Sequence, residues 1–158
     1  MADLRALSQQ STRTTGAWQL VLCLLLGAVA PVLAQTAGTS PQQLAEFASR
    51  AGLHRVEPFV DAVTELRSRG QLPARYVSKE AARAHGWRGG GLCNIWPGHV
   101  IGGDRFGNFG GQLPTDYRYF EADLDSTCRG RGPSRLIYSS DGLIFVTTDH
   151  YRSFVPVP

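Results

Sequence analysis

The chain reads as an α+β fold, with N-terminal helices packed on one face of an antiparallel β-sheet, and two changes of pattern predict it. Between residues 40 and 86 apolar side chains recur at helical spacing between caps and glycine stops; after Pro97 the pattern shortens to β-branched and aromatic runs separated by turn residues. Helices first and consecutive strands afterwards describe segregated layers rather than alternating βαβ units. Size sets the third bound: 158 residues, 42% hydrophobic and 18% charged, fill one ordinary core and not two.

The first 34 residues differ in kind. Arg5 and Arg13 precede an apolar run over residues 17–32 that closes in Val32-Leu33-Ala34. These are the parts of a secretory signal peptide, with cleavage expected after Ala34. A membrane anchor fits less well, because the run is short for a bilayer and is interrupted by Gly27 and Pro31. A lipoprotein fits less well too, since bulky Leu22 precedes Cys23, which lies inside the run. The expectation is a secreted protein, extracellular or periplasmic, with no stable membrane association once the signal is removed.

Two cysteines then remain, Cys93 and Cys128. In an oxidising compartment a disulfide is favoured over two separate buried thiols, and closing that loop would stabilise the fold by roughly 3 to 4 kcal/mol. His54, His85, His99 and His150 are scattered, without C-x-x-C or H-E-x-x-H spacing, so no metal or other cofactor is expected. Net charge is +3. Without Arg5, Arg13 and Asp3 the exported part keeps about +2, too little to identify a polyanionic partner.

In chain order, residues 35–39 are small and polar, a tether. Ser40-Pro41 supplies an N-cap and a first-turn proline, Leu44, Phe47 and Ala48 form a narrow stripe, and Gly52 ends the first helix. A second helix is predicted over residues 58–69, with Phe59, Ala62, Val63 and Leu66 on one face and Gly70 as its stop. Ser78 caps a third over residues 79–85, closed by Gly86. The run Gly89-Gly90-Gly91 either lets backbone approach closely or is a long turn, and the turn is preferred. Strands are predicted at residues 100–101, 117–124, 135–139, 143–147 and 154–157.

Asp141-Gly142 between two of these runs predicts a hairpin with a two-residue type I′ turn. That register puts Arg135 opposite Thr148, and on the same face as His150 if the strand does not bulge. In the strand over residues 117–124, Tyr117, Tyr119, Glu121 and Asp123 alternate with Arg118, Phe120, Ala122 and Leu124. The second set is the more apolar and is expected on the helices, leaving Glu121 on the open face. A carboxylate, an imidazole and the guanidiniums of Arg131 and Arg135 on one surface could supply a base, an acid and clamps for a phosphoryl centre.

From Leu72 to Phe154 the chain resembles the barnase-like bacterial guanyl-preferring ribonucleases. The resemblance rests on Leu72-Pro73, Tyr76, Lys79 and Gly86-Trp87, then Pro97-Gly98, Ile101-Gly102-Gly103-Asp104, Phe106, Asn108 and Leu113-Pro114. It continues through Glu121-Ala122-Asp123, Arg131, Arg135, Tyr138-Ser139-Ser140-Asp141 and Thr147-Thr148-Asp149-His150-Tyr151. The resemblance implies the microbial ribonuclease fold over residues 53–158, preceded by a tether and an added helix over residues 35–52. It also implies a metal-independent endoribonuclease acting on single-stranded RNA through a 2′,3′-cyclic phosphate.

By that resemblance Glu121 is the general base, His150 the general acid, and Lys79, Arg131 and Arg135 the cations that hold the phosphate. Phe106, Asn108, Phe109 and Tyr151 are candidates for substrate binding, and Asp104 for support of Lys79. The cysteines fall in regions that neighbour each other in the family, and a barstar-like protein inhibitor is an expected partner. One position departs from the pattern. The family's base-reading loop carries an acidic residue that can meet the adjacent N–H donors of guanine, and here Gly110 stands there, so guanine preference is expected to be relaxed. Export leaves open a nutritional role or a toxin. The rival class is a non-catalytic secreted module that binds RNA or protein, against which stands the retention of both Glu121 and His150.

Overall fold

Ser40 starts the folded part for a reason visible in its own atoms. Its hydroxyl accepts from the Gln43 amide while the Gln43 side chain accepts from the Ser40 amide, a capping box that satisfies two orphan donors of α1 (Pro41–Arg50). The computed structural model describes residues 38–158; the signal peptide reading and the start of the tether lie outside the described residues. Helix α2 (Val56–Arg69) ends on Gly70 with φ 69°. It begins two residues earlier than its periodicity predicts. There Asp125 accepts from the backbone amides of His54 and Arg55, ordering the entry without a local side-chain cap.

A two-residue strand, β1 (Tyr76–Val77), precedes α3 (Lys79–Ala84), which Ser78 caps through the Ala81 amide. Then follow β2 (Val100–Phe106), β3 (Tyr119–Asp123), β4 (Arg135–Ser139), β5 (Ile144–Thr147) and β6 (Val155–Pro156), in one six-stranded sheet ordered as in sequence. All neighbours pair antiparallel except β1 with β2. That parallel edge strand is absent from the sequence reading, because two residues are too short to carry a period.

The α+β prediction holds. Ala122, Leu124, Leu136 and Val146 turn one sheet face toward Leu44, Phe47, Phe59 and Val63 of the helices. Phe47 and Phe59 stack at 5.8 Å, so α1 shares the main core instead of lying on it. Burying each such side chain contributes about 1.5 to 3 kcal/mol.

Two local readings change. The hairpin loop has three residues, 140–142: the Ser139 amide donates to the Leu143 carbonyl at 2.9 Å and Gly142 takes φ 88°. The Ser139 hydroxyl also accepts from the Leu143 amide at 3.1 Å, which fixes the longer loop. The register is therefore one residue from the predicted one, and Arg135 lies opposite Thr147, not Thr148. The glycine run, read as a turn, makes a close approach. A Cβ on Gly91 would stand 2.0 Å from the Thr127 carbonyl oxygen, so only glycine fits beside the loop that follows β3. The same two segments are joined by the Cys93–Cys128 disulfide, with Cα atoms 5.0 Å apart.

Candidate active site

The helix-free face of the sheet carries the polar cluster. Glu121 occupies the middle of β3 and is 6% exposed, yet both its oxygens are engaged. Lys79 Nζ donates to Oε1 at 2.5 Å, and the Tyr151 hydroxyl donates to Oε2 at 2.6 Å. Lys79 reaches it from the first turn of α3, whose Lys79 amide is held by the Asp104 carboxylate at 3.0 and 3.2 Å. Asp104 thus steadies Lys79 through its backbone and leaves the ammonium to Glu121. Burial pushes the Glu121 carboxyl up, but the bonds from Lys79 and Tyr151 and the charges of Lys79 and Arg131 outweigh it. The net result is a carboxyl below its ordinary range, ionised at neutral pH. Burial and the Glu121 carboxylate together raise Tyr151 to about 12, which keeps its hydroxyl a donor.

Two residues along β3, Asp123 is fully buried. Arg131 grips it with two bonds of 2.7 Å, and Arg135 Nε stands 3.1 Å away without an aligned hydrogen bond. Burial raises the Asp123 carboxyl against the pull of both guanidiniums, and the same bond raises Arg131. Arg135 spends Nη1 on the carbonyls of Gly132 and Ser134, at 2.9 and 2.7 Å. Its guanidinium lies 5.9 Å from the Tyr151 ring. Strand alternation alone assigns Asp123 no role; only the pairing of β3 with β4, Asp123 opposite Arg135, reveals that it organises both arginines.

His150 is placed by a turn and not by strand alternation, since β5 stops at Thr147. His150 and Tyr151 take φ 60° and 70°. Asp149 holds this conformation by accepting from the Thr147 hydroxyl, the Arg152 and Ser153 amides and the Ser153 hydroxyl, at 2.6 to 3.0 Å. Those bonds, led by the Ser153 hydroxyl, lower Asp149 to about 2. His150 is exposed, and its ring centroid lies 4.9 Å from that of Tyr151. One tyrosine therefore touches Glu121 through its hydroxyl and stands against His150 through its ring.

The loop before β3 borders this cluster. Asn108, at φ 47°, donates to the Leu113 carbonyl and accepts from its amide, so its side chain shapes the loop. Gln112 ties the loop to the His150 turn by donating to the Arg152 carbonyl at 3.0 Å. Phe106 stacks on Tyr151 at 5.3 Å, and Phe109 is wholly exposed. Gly110 in this loop has no side chain, and a Cβ there would stand 3.7 Å from the Gln112 side chain. Among the described residues no group of three His, Cys, Asp or Glu side chains could hold a metal ion. The arrangement offers an ionised carboxylate, an exposed imidazole and three cations on one face of the sheet, sufficient for proton transfer at an anionic centre.

Comparison with known proteins agrees in extent and kind. A family model described as ribonuclease matches residues 60–158. The ribonuclease of Heyndrickxia coagulans is 43% identical over 91 residues, which cover 55% of this chain and 84% of the relative. The ribonucleases of Bacillus intermedius and Bacillus pumilus are also 43% identical over 91 residues, covering 55% of this chain and 56% of each relative. The match excludes α1 and includes every residue of the polar cluster. The chain belongs to the microbial ribonuclease family, a family of endoribonucleases.

Proposed function

We propose that the protein cleaves single-stranded RNA in two steps without a metal ion. Glu121 removes the proton of the ribose 2′-hydroxyl, the 2′-oxygen attacks phosphorus, and His150 protonates the departing 5′-oxygen. A 2′,3′-cyclic phosphate forms. In the second step the roles reverse: His150 takes a proton from water, which opens the ring, and Glu121 returns a proton to the 2′-oxygen. RNA carries this nucleophile within itself and DNA does not, so an acid and a base suffice for RNA alone. The observation that supports this reading is the ionised Glu121 between Lys79 and Tyr151, with His150 beside the same tyrosine. When a phosphate enters, Lys79 exchanges its carboxylate partner for the phosphate oxygens, freeing Glu121 to accept a proton. Arg131 and Arg135, fixed by Asp123, hold the growing negative charge.

Base preference is relaxed in this proposal, because Gly110 supplies no carboxylate and the Asn108 side chain is spent within its loop. Export through residues 1–34, in a nutritional or toxic role, and a barstar-like inhibitor that covers the basic site complete the reading. The test is cleavage of an RNA oligonucleotide with chelator present. Wild type is expected to be active, and Glu121→Ala and His150→Ala each to lose about 10² to 10⁴ in rate while remaining folded. Activity that survives both substitutions, or that needs a metal, sinks the mechanism.

A further inference from the structure

Behind the active face, where the start of α2 meets the β1 edge of the sheet and the loop after β3, lies a cavity of about 450 Å³ that the mechanism does not use. Sites for small organic ligands have this size, and they are mostly apolar with a few polar groups. The walls here are Pro58, Tyr76, Val100, Leu124 and the Cys93–Cys128 disulfide. The polar groups on the lining divide by sign. The acceptors are committed: the Asp125 carboxylate takes the His54 and Arg55 amides and the Ser134 hydroxyl, and the Asp123 carboxylate takes Arg131. Two cationic or donor side chains are not. Arg55 is exposed, spends only Nη1, on the Ser126 carbonyl at 3.2 Å, and has no ion-pair partner among the described residues. His99 meets the Pro97 carbonyl through Nδ1 at 3.1 Å and stacks on Trp96 at 4.2 Å, which leaves Nε2 uncommitted among the described residues. Arg75, by contrast, is already paired with Asp61.

We infer that this cavity binds a small organic anion with a compact apolar body, its acidic group on Arg55 and its body against Leu124 and the disulfide. Spare donors beside spent acceptors select an anion, which the guanidinium meets by charge-assisted bonds. The apolar walls supply the rest of the affinity by taking hydrocarbon out of water. An occupant also braces part of the active site from behind. Ser126, Thr127 and Cys128 line the cavity and lead to Arg131, and the Tyr76 hydroxyl donates at 3.4 Å to the carbonyl of Asp123, whose carboxylate grips that arginine. Filling the cavity therefore takes freedom from the loop over residues 126–131. This inference goes beyond the ribonuclease reading and does not depend on it.

The experiment titrates the oxidised protein with two fluorescent probes: anilinonaphthalene sulfonate, an aromatic anion, and phenylnaphthylamine, the same body without the sulfonate. Wild type is expected to bind the anion saturably and more tightly than the neutral probe, and amide hydrogen exchange over residues 126–131 is expected to slow on binding. Arg55→Ala should weaken the anion about 10-fold and leave the neutral probe unchanged, while Arg55→Lys restores most of the loss. Ser126→Phe, which fills the cavity, should abolish binding of both. If that variant loses its native near-ultraviolet dichroism, the Arg55 variants and the exchange map decide alone. Affinities that neither Arg55→Ala nor a folded Ser126→Phe changes overturn the site, as does the absence of binding to wild type. So does slowed exchange confined to the neighbourhood of the exposed Phe109, which would mark adhesion of the probe to the surface. Equal affinity for the two probes overturns the assignment of an anion.

Discussion

In the proposed mechanism Glu121 is the base. Its protonation is set by burial, which favours the neutral acid, against the bonds from Lys79 and Tyr151 and the charges of Lys79 and Arg131, which favour the carboxylate and prevail. The hydrogen bond from Tyr151 favours the ionised form, so Tyr151→Phe raises the Glu121 pKa toward the ordinary range. A base must be ionised to act; the acid limb of the pH–kcat/KM profile therefore moves to higher pH in this variant. The stability that the depressed pKa represents follows the same sign: it is complete above the unfolded value and is lost as pH falls through the folded value. An acid limb that does not move in Tyr151→Phe would show that the limb belongs to another group. Asp123 is the second decisive residue. Asp123→Asn leaves Arg131 and the 3%-exposed Arg135 without their counter-charge, and urea unfolding should report a loss of about 3 to 5 kcal/mol. A loss below about 1 kcal/mol would mean that water or the neighbouring carbonyls replace the carboxylate.

Single elements decide where these residues stand. The β3–β4 ladder puts Asp123 opposite Arg135, and α3 delivers Lys79 from its first turn with Asp104 on its amide. The three-residue hairpin loop then sets which β5 residue faces Arg135. The β4–β5 register could not be read from Asp141-Gly142 alone, since the same dipeptide serves two- and three-residue loops and the Ser139 hydroxyl selects the longer one. Helix α1 lies outside the family match but inside the core. Phe47→Ala should cost about 3 to 5 kcal/mol in a denaturant titration. A change within about 0.5 kcal/mol would assign α1 to the surface.

At the scale of the molecule, the disulfide binds the segment ahead of β2 to the loop that carries Arg131, apart from the helical core. Reducing it should lower stability by roughly 3 to 4 kcal/mol by chain entropy and lower activity further by loosening the Arg131 loop. Equal urea midpoints for the oxidised and reduced protein would contradict this. Local patterns determine the helices, most of the strands and the split of β3 into an apolar face and a polar one, because caps, periodicity and alternation act over a few residues. That residue 110 is a glycine, with no side chain to offer a base, is likewise legible in the chain. Meetings between distant segments leave no such trace. The left-handed turn that sets His150, the buried Asp123 between two arginines, the bond from Tyr151 to Glu121 and the approach of Gly91 to Thr127 each join parts of the chain whose atoms meet only after the sheet has formed. Tertiary structure alone decided them, since a hydrogen bond or a close approach depends on position in space and sequence patterns report only position along the chain.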